Sequence, residues 1–277
     1  MRSPRLVLLG TFAATLTIAA VGATWLFLHE SPAAEPPGEA LPLPPEPPRL
    51  TEDPEYDRCL GMLRTDPQGA QVLADAWEAT GGGEGARHCA ALALLGLGEP
   101  DRAAERLEFL AARSQAGPAA RSALYAQAGQ AWMMASQPDR AFAATTLGLS
   151  LTPRDVDLLV DRSVALGTLG RYREALEDLD SAVAIDPDRA EAWVFRAAAL
   201  RHLDRTAEAE EAVAKALALD PDNAEGLLER GIIRQLKGDI AGARSDWERA
   251  ITLAPDSPTA DLAQQNLALS EAGPQRR

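Results

Sequence analysis

A chain of 277 residues that is 46% hydrophobic has enough apolar side chains for a substantial core, and its 41 acidic and 27 basic residues leave a formal charge of −14. That balance argues against a nucleic-acid partner, because affinity for a phosphate backbone needs clustered positive charge. Two cysteines and three histidines leave little material for metal or redox chemistry, and no Cys-x-x-Cys pair is present.

From Leu6 to Leu28 runs a stretch of 23 residues without a charged side chain, preceded by Arg2 and Arg5 and followed by Glu30, Glu35 and Glu39. A helix of about 20 apolar residues spans a hydrocarbon layer, and the flanking arginines place the start in the cytoplasm and all later residues outside it. Residues 1–28 therefore read as a signal anchor or a signal peptide. Val21-Gly22-Ala23 offers a small-residue cleavage site. The anchor is preferred, since the apolar run continues through Trp25 to Leu28 and Trp25 suits a membrane interface. The expected location is the bacterial inner membrane, single-pass with the later residues in the periplasm; the alternative is a soluble periplasmic protein after cleavage. Residues 29–53 are dense in proline and glutamate without an apolar period. Such a tract reads as a semi-rigid polyproline II spacer, the alternatives being a ligand for a proline-binding domain or a segment that folds back onto the chain.

Between Tyr56 and Thr80 the small and aromatic residues Ala70, Ala74 and Trp77 suggest the packing face of a helix pair. Gly81-Gly82-Gly83-Glu84-Gly85 faintly resembles a phosphate loop, but it lacks the Lys-Ser/Thr that engages phosphate and magnesium, and it reads as a helix-ending loop. Leu94, Gly98, Ala103 and Leu107 mark a second pair. Cys59 and Cys89 stand 30 positions apart. In an oxidising compartment they are expected to form a disulfide, the alternative being two buried free thiols.

A regular period then sets in. Pro153, Pro187, Pro221 and Pro255 stand 34 residues apart, and in the same register fall the columns Tyr125, Leu159, Trp193, Leu227; Gly129, Ser163, Ala197, Gly231; Ala141, Ala175, Ala209, Ala243; Thr145, Leu179, Val213, Trp247; and Gly148, Ala182, Ala216, Ala250. Small columns mark close approach of helix axes and large ones fill the space between. Gly170-Arg171-Tyr172 and Gly238-Asp239-Ile240 are turn signals between the helices of a pair. Ala103 precedes Ala141 by 38 residues, so an insertion is expected in the second helix of the earlier pair or in its loop. After the last proline, residues 258–271 read as a polar-faced terminal helix carrying Leu262, Leu267 and Leu269, and residues 272–277 as a disordered tail.

The LGTLGRY stretch ending at Tyr172, EALEDLDSAVAIDP after it, AEAW ending at Trp193 and EEAVAKALALDP ending at Pro221 resemble the tetratricopeptide repeat family. The resemblance implies an all-α fold. It would be a right-handed superhelical solenoid of antiparallel helix pairs over residues 54–271, strongest over 122–257 and degenerate over 54–121, with a C-terminal capping helix and the membrane segment in front. It also implies that the first helix of each pair lines a concave groove. Carried onto this chain, the groove residues are Ala126, Val160, Val194 and Leu228, then Gln130, Val164, Ala198 and Ile232, continued by Met133, Met134, Arg201, His202, Gln235 and Leu236. The lysines and asparagines with which some relatives clamp a C-terminal carboxylate are replaced by Asp161, Val164, Phe195, Ala198, Glu229 and Ile232.

The chain departs from the family at Arg162, Arg196 and Arg230, where an apolar residue is usual. Arg162 is expected to pair with Asp178 and Arg230 with Asp246, while Arg196 needs another acceptor, because an unpaired buried guanidinium is costly. No nucleophile, acid–base pair, metal ligand set or cofactor site can be assembled. The expected function is a non-catalytic scaffold that binds an apolar peptide or helix of an envelope protein by hydrophobic burial. Self-association into a homo-oligomer, or an accessory role resembling cytochrome c maturation proteins, is the alternative.

Overall fold

The computed structural model describes residues 50–272, which form thirteen α-helices and, among the described residues, no strand. The expected membrane segment, most of the proline-rich tract and the end of the tail lie outside the described residues. Among the described residues no helix is long and apolar enough to cross a membrane.

The helices come as antiparallel pairs. The first two are α1 (Pro54–Met62) with α2 (Pro67–Ala79) and α3 (Gly83–Gly96) with α4 (Pro100–Arg113). The regular pairs are α5 (Pro118–Met134) with α6 (Pro138–Leu151), α7 (Val156–Thr168) with α8 (Tyr172–Ile185), α9 (Ala190–His202) with α10 (Thr206–Leu219), and α11 (Ala224–Leu236) with α12 (Ile240–Leu253). α13 (Pro258–Ala272) follows alone.

Each start and stop has a local cause. Proline opens α1, α2, α4, α5 and α6, where its missing N–H costs nothing. The side chains of Asp53, Asp66, Asp155, Asn223 and Asp239 accept a backbone N–H at the starts of α1, α2, α7, α11 and α12. The turn inside each pair from α3 onward carries one residue of positive φ: Gly98, Ser136, Gly170, Asp204 and Gly238. Glycine takes that conformation without penalty. Ser136 and Asp204, at φ 58° and 60°, hold it against the strain of a β-carbon.

The insertion lies elsewhere than the spacing suggested. α4 and α6 are both 14 residues long, whereas α5 has 17 residues against 13 in α7, α9 and α11. The extra turn is at the N-terminus of α5. Arg121 Nε in that turn donates 2.9 Å to the Ala111 carbonyl, and Ser114 and Gln115 of the connection are held by Glu84. Leu50 is half-buried against the core, and Asp53 caps α1 at Pro54.

The first helices α5, α7, α9, α11 and α13 each touch the next first helix, while a second helix touches chiefly its own partner and the following first helix. The first helices therefore form the inner row of the solenoid and the second helices the outer one. The small columns sit at the two close approaches. A β-carbon on Gly129 would lie 2.7 Å from Thr145 of the partner helix, and one on Gly148 would lie 2.9 Å from Leu158 of the next pair. At Gly231 the indole of the fully buried Trp247 occupies the space. Glycine opposite tryptophan and glycine opposite threonine show that these pairs keep their spacing by trading volume across the contact.

Arg162 donates from Nε and Nη2 to Asp178 at 2.8 and 2.6 Å, and Arg230 to Asp246 at the same distances. Arg234 adds a third donor to Asp246 at 2.7 Å. Arg196 turns back to Asp180 at 2.7 Å and lies over the Trp193 ring. Each bidentate pair bridges the two helices of one repeat. At the N-terminal end Cys59 of α1 and Cys89 of α3 form a disulfide, beside Ala70 and Ala74 of α2. At the other end α13 covers α11 and α12. Its buried face is Ala260 and Ala263 with Leu267. Leu262 and Leu269 are exposed, since they fall on the opposite side of the 3.6-residue turn.

Candidate functional site

The inner row of first helices is the surface to test, and it differs from the expected apolar groove. Val160, Val194 and Leu228 are 3%, 4% and 9% exposed and belong to the core, with Ala126 of α5 packed against the same cluster. Their column is the seam between successive first helices. Apolar side chains at that seam are drawn inward to close it, and they have no surface left to offer a partner. Met133 is likewise packed against the core around α5, whereas Met134 and Leu236 are exposed.

The next column is open. Gln130 is exposed and Val164, Ala198 and Ile232 are half-buried. Val164 and Ala198, with Phe195, Tyr172 and His202, line a cleft of about 270 Å³ between α7, α8 and α9. The Tyr172 and His202 rings stack at its end, 4.1 Å apart and nearly parallel. Further along, Arg201 Nε donates 2.6 Å to Glu229, whose side chain is almost fully buried. Arg201 is thereby a bridge between α9 and α11. Gln235 is half-buried on α11.

Carboxylates dominate the N-terminal halves of the same helices. Asp157, Glu191 and Glu225 occupy the first turns of α7, α9 and α11, and Asp161 stands one turn further along α7, accepting a hydrogen bond of 3.1 Å from Gln130. Burial first, then the charges of Asp157, Glu191 and Asp155, push the Asp161 carboxyl up to about 6, while the Gln130 hydrogen bond pulls the other way. Burial and the charge of Glu191 also raise Glu225. Arg189 reaches into the row, 2.5 Å from Asp157 and 3.3 Å from Glu191. The sequence already held the signal for this row, because Asp157, Glu191 and Glu225 share the 34-residue register. What it lacked was the burial of the apolar column beside them.

A raised carboxyl has a definite consequence for stability. Ionised Asp161 is disfavoured in the folded chain relative to the unfolded one, whose ordinary carboxyl is 3.8. The penalty is fully present above about pH 6 and is relieved as pH falls toward 4. Asp161→Asn should raise stability at pH 7 by about 1 kcal/mol, solvent screening reducing the larger ideal value, and by about a third as much at pH 4.5. Urea midpoints of both proteins at the two pH values measure this difference.

The remaining candidate groups are engaged in structure. His88 is buried between the Tyr56 hydroxyl, 2.6 Å from Nδ1, and Gln127 Oε1, 2.6 Å from Nε2. Burial holds its imidazole below the usual value, against the Gln127 hydrogen bond. The glycine run at Gly81 to Gly83 ends one helix and begins the next, and Gly81 and Gly83 have positive φ. Among the described residues no cluster of three or more His, Cys, Asp or Glu is placed to hold a metal ion.

Residues 160–224 and 204–258 match the family model for the tetratricopeptide repeat. Among solved structures, the chain is similar to PilF of Pseudomonas aeruginosa, at 16% identity and a TM-score of 0.59 over 76% of this chain and 96% of that one. It is also similar to MamA from Desulfovibrio magneticus RS-1, at 22% identity and a TM-score of 0.53 over 63% and 97%. YrrB, described as a repeat protein of this kind with an unusual peptide-binding site, aligns at 21% identity and a TM-score of 0.50 over 70% and 97%. At these identities the likeness is one of fold. No curated protein matches the sequence.

Proposed function

Because this chain carries tetratricopeptide repeats, we propose that it is a non-catalytic scaffold, held on the periplasmic side of a membrane, that binds a protein segment along its inner row of helices. The observation that carries the reading is the cleft over Val164, Phe195 and Ala198, an apolar recess on the face where consecutive repeats converge. YrrB, with its described peptide-binding site, is a precedent for the use of such a fold. The disulfide between Cys59 and Cys89 supports the compartment, since such bonds persist where the surroundings are oxidising. The apolar stretch from Leu6 to Leu28 supports tethering, and envelope proteins are then the accessible partners.

The test is crosslinking in cells that express the full chain, followed by purification and identification of what is attached. Phe195→Asp with Ala198→Asp should remove the attached proteins while the circular dichroism of the purified variant is unchanged. If every attached protein survives this pair of substitutions, the inner face is not the binding surface. Protease added to spheroplasts should digest the repeats, and protection of the repeats there would remove the periplasmic assignment.

A further inference from the structure

We propose that the cleft over Val164, Phe195 and Ala198 receives a segment carrying an aromatic or aliphatic anchor with lysine or arginine about two residues away. The proposal rests on the scaffold reading above and adds the chemistry of the partner. The walls of the cleft are mostly apolar, with Thr168, Tyr172 and His202 among them, and the side chains of Val164, Phe195 and Ala198 are only half-buried. Burying an anchor there supplies hydrophobic affinity. An anchor alone leaves Asp161 and Glu225 without a cation, since Arg189 serves Asp157 and Glu191. Asp161 precedes Val164 by three positions and Glu191 precedes Phe195 by four, an offset of roughly 5 Å along the helices at 1.5 Å per residue. An extended segment covers that offset in about two residues at 3.3 Å each.

Three features make the neighbouring group a cation. The charges of Asp157 and Glu191 raise the Asp161 carboxyl and that of Glu191 raises Glu225, so a positive charge among them removes like-charge repulsion. Partial burial has already stripped water from Asp161, which lowers the cost of pairing it. Arg189 shows that the row accepts a guanidinium, touching Asp157 and Glu191. The chain's own tract from Glu30 to Glu46 carries charge of the same sign as the row. It is repelled as an occupant, which makes the partner a segment of another protein.

A library of random twelve-residue peptides, displayed on phage and selected on the immobilised full chain, tests this. Recovered peptides should combine an aromatic or aliphatic residue with nearby lysine or arginine. Glu191→Lys with Glu225→Lys, both exposed positions, should weaken their binding about ten-fold or more, and the loss should shrink as salt rises. Neutral or acidic peptides that still lose binding with Phe195→Asp would overturn the cationic partner and leave the scaffold standing. Failure to enrich any peptide, or enrichment indifferent to both Phe195→Asp and the lysine substitutions, would overturn the inner-face reading itself.

Discussion

Replacing both Cys59 and Cys89 by serine is expected to lower the stability of the first two helix pairs by about 3 to 4 kcal/mol, the loop-entropy value for a separation of this size, and to leave the last three pairs unchanged. The separation is 30 residues. Among the described residues α1 is the shortest helix, with nine residues. Its apolar contacts run through Tyr56 beside Trp77 and Ala86, Cys59 against Ala70 and Ala74, and the partly buried Leu60 and Met62. Without the bridge, Tyr56 still holds α1 to α3, by packing on Ala86 and by its hydrogen bond to His88. In a solenoid each repeat rests mainly on its neighbours, so the damage stays local. Amide hydrogen exchange resolves it: protection should fall over residues 54–96 and hold over 156–253. Uniform loss along the whole chain would show that the repeats fold as one cooperative block, and no loss at all would show the bridge to be dispensable.

The second large effect is expected at Asp246. Its carboxylate is nearly fully buried and takes three hydrogen bonds, two from Arg230 and one from Arg234. Asp246→Ala leaves both guanidinium groups without that acceptor between α11 and α12, a cost of about 3 to 5 kcal/mol. Asp178→Ala should cost less, because Asp178 accepts from Arg162 alone, whereas Asp246 accepts from both Arg230 and Arg234. Asp246→Asn, which keeps an acceptor oxygen, should fall between. Urea unfolding followed by circular dichroism gives the three values. An Asp246→Ala loss below about 1 kcal/mol would mean that the arginines swing out to water instead of depending on the carboxylate.

The partnership of Arg162 with Asp178 and of Arg230 with Asp246 could be anticipated from an interval of sixteen residues, because that interval places the two side chains opposite each other across one helical hairpin. The part of the candidate site that was legible follows the same logic. Gln130, Val164, Ala198 and Ile232 share a register, and register fixes which side of a helix a residue faces. Whether that side meets solvent is a different matter. Val160, Val194 and Leu228 lie one turn away in an equally regular column, yet they close the seam between first helices. Ser136 and Asp204 likewise carry the turn conformation that glycine marks elsewhere, and nothing in their chemistry announces it.

The sequence by itself determined the helix pairs, their period and the residues that face one another within a pair. All of these follow from intervals along one chain and the geometry of a single hairpin. The tertiary structure alone decided where the extra turn of α5 goes, which apolar columns are sealed, and how the carboxylates of three repeats come to share one neighbourhood. Those outcomes depend on the distance between successive first helices. That distance is set by the volumes traded at contacts between repeats such as Gly148 with Leu158, and no spacing within one repeat encodes it.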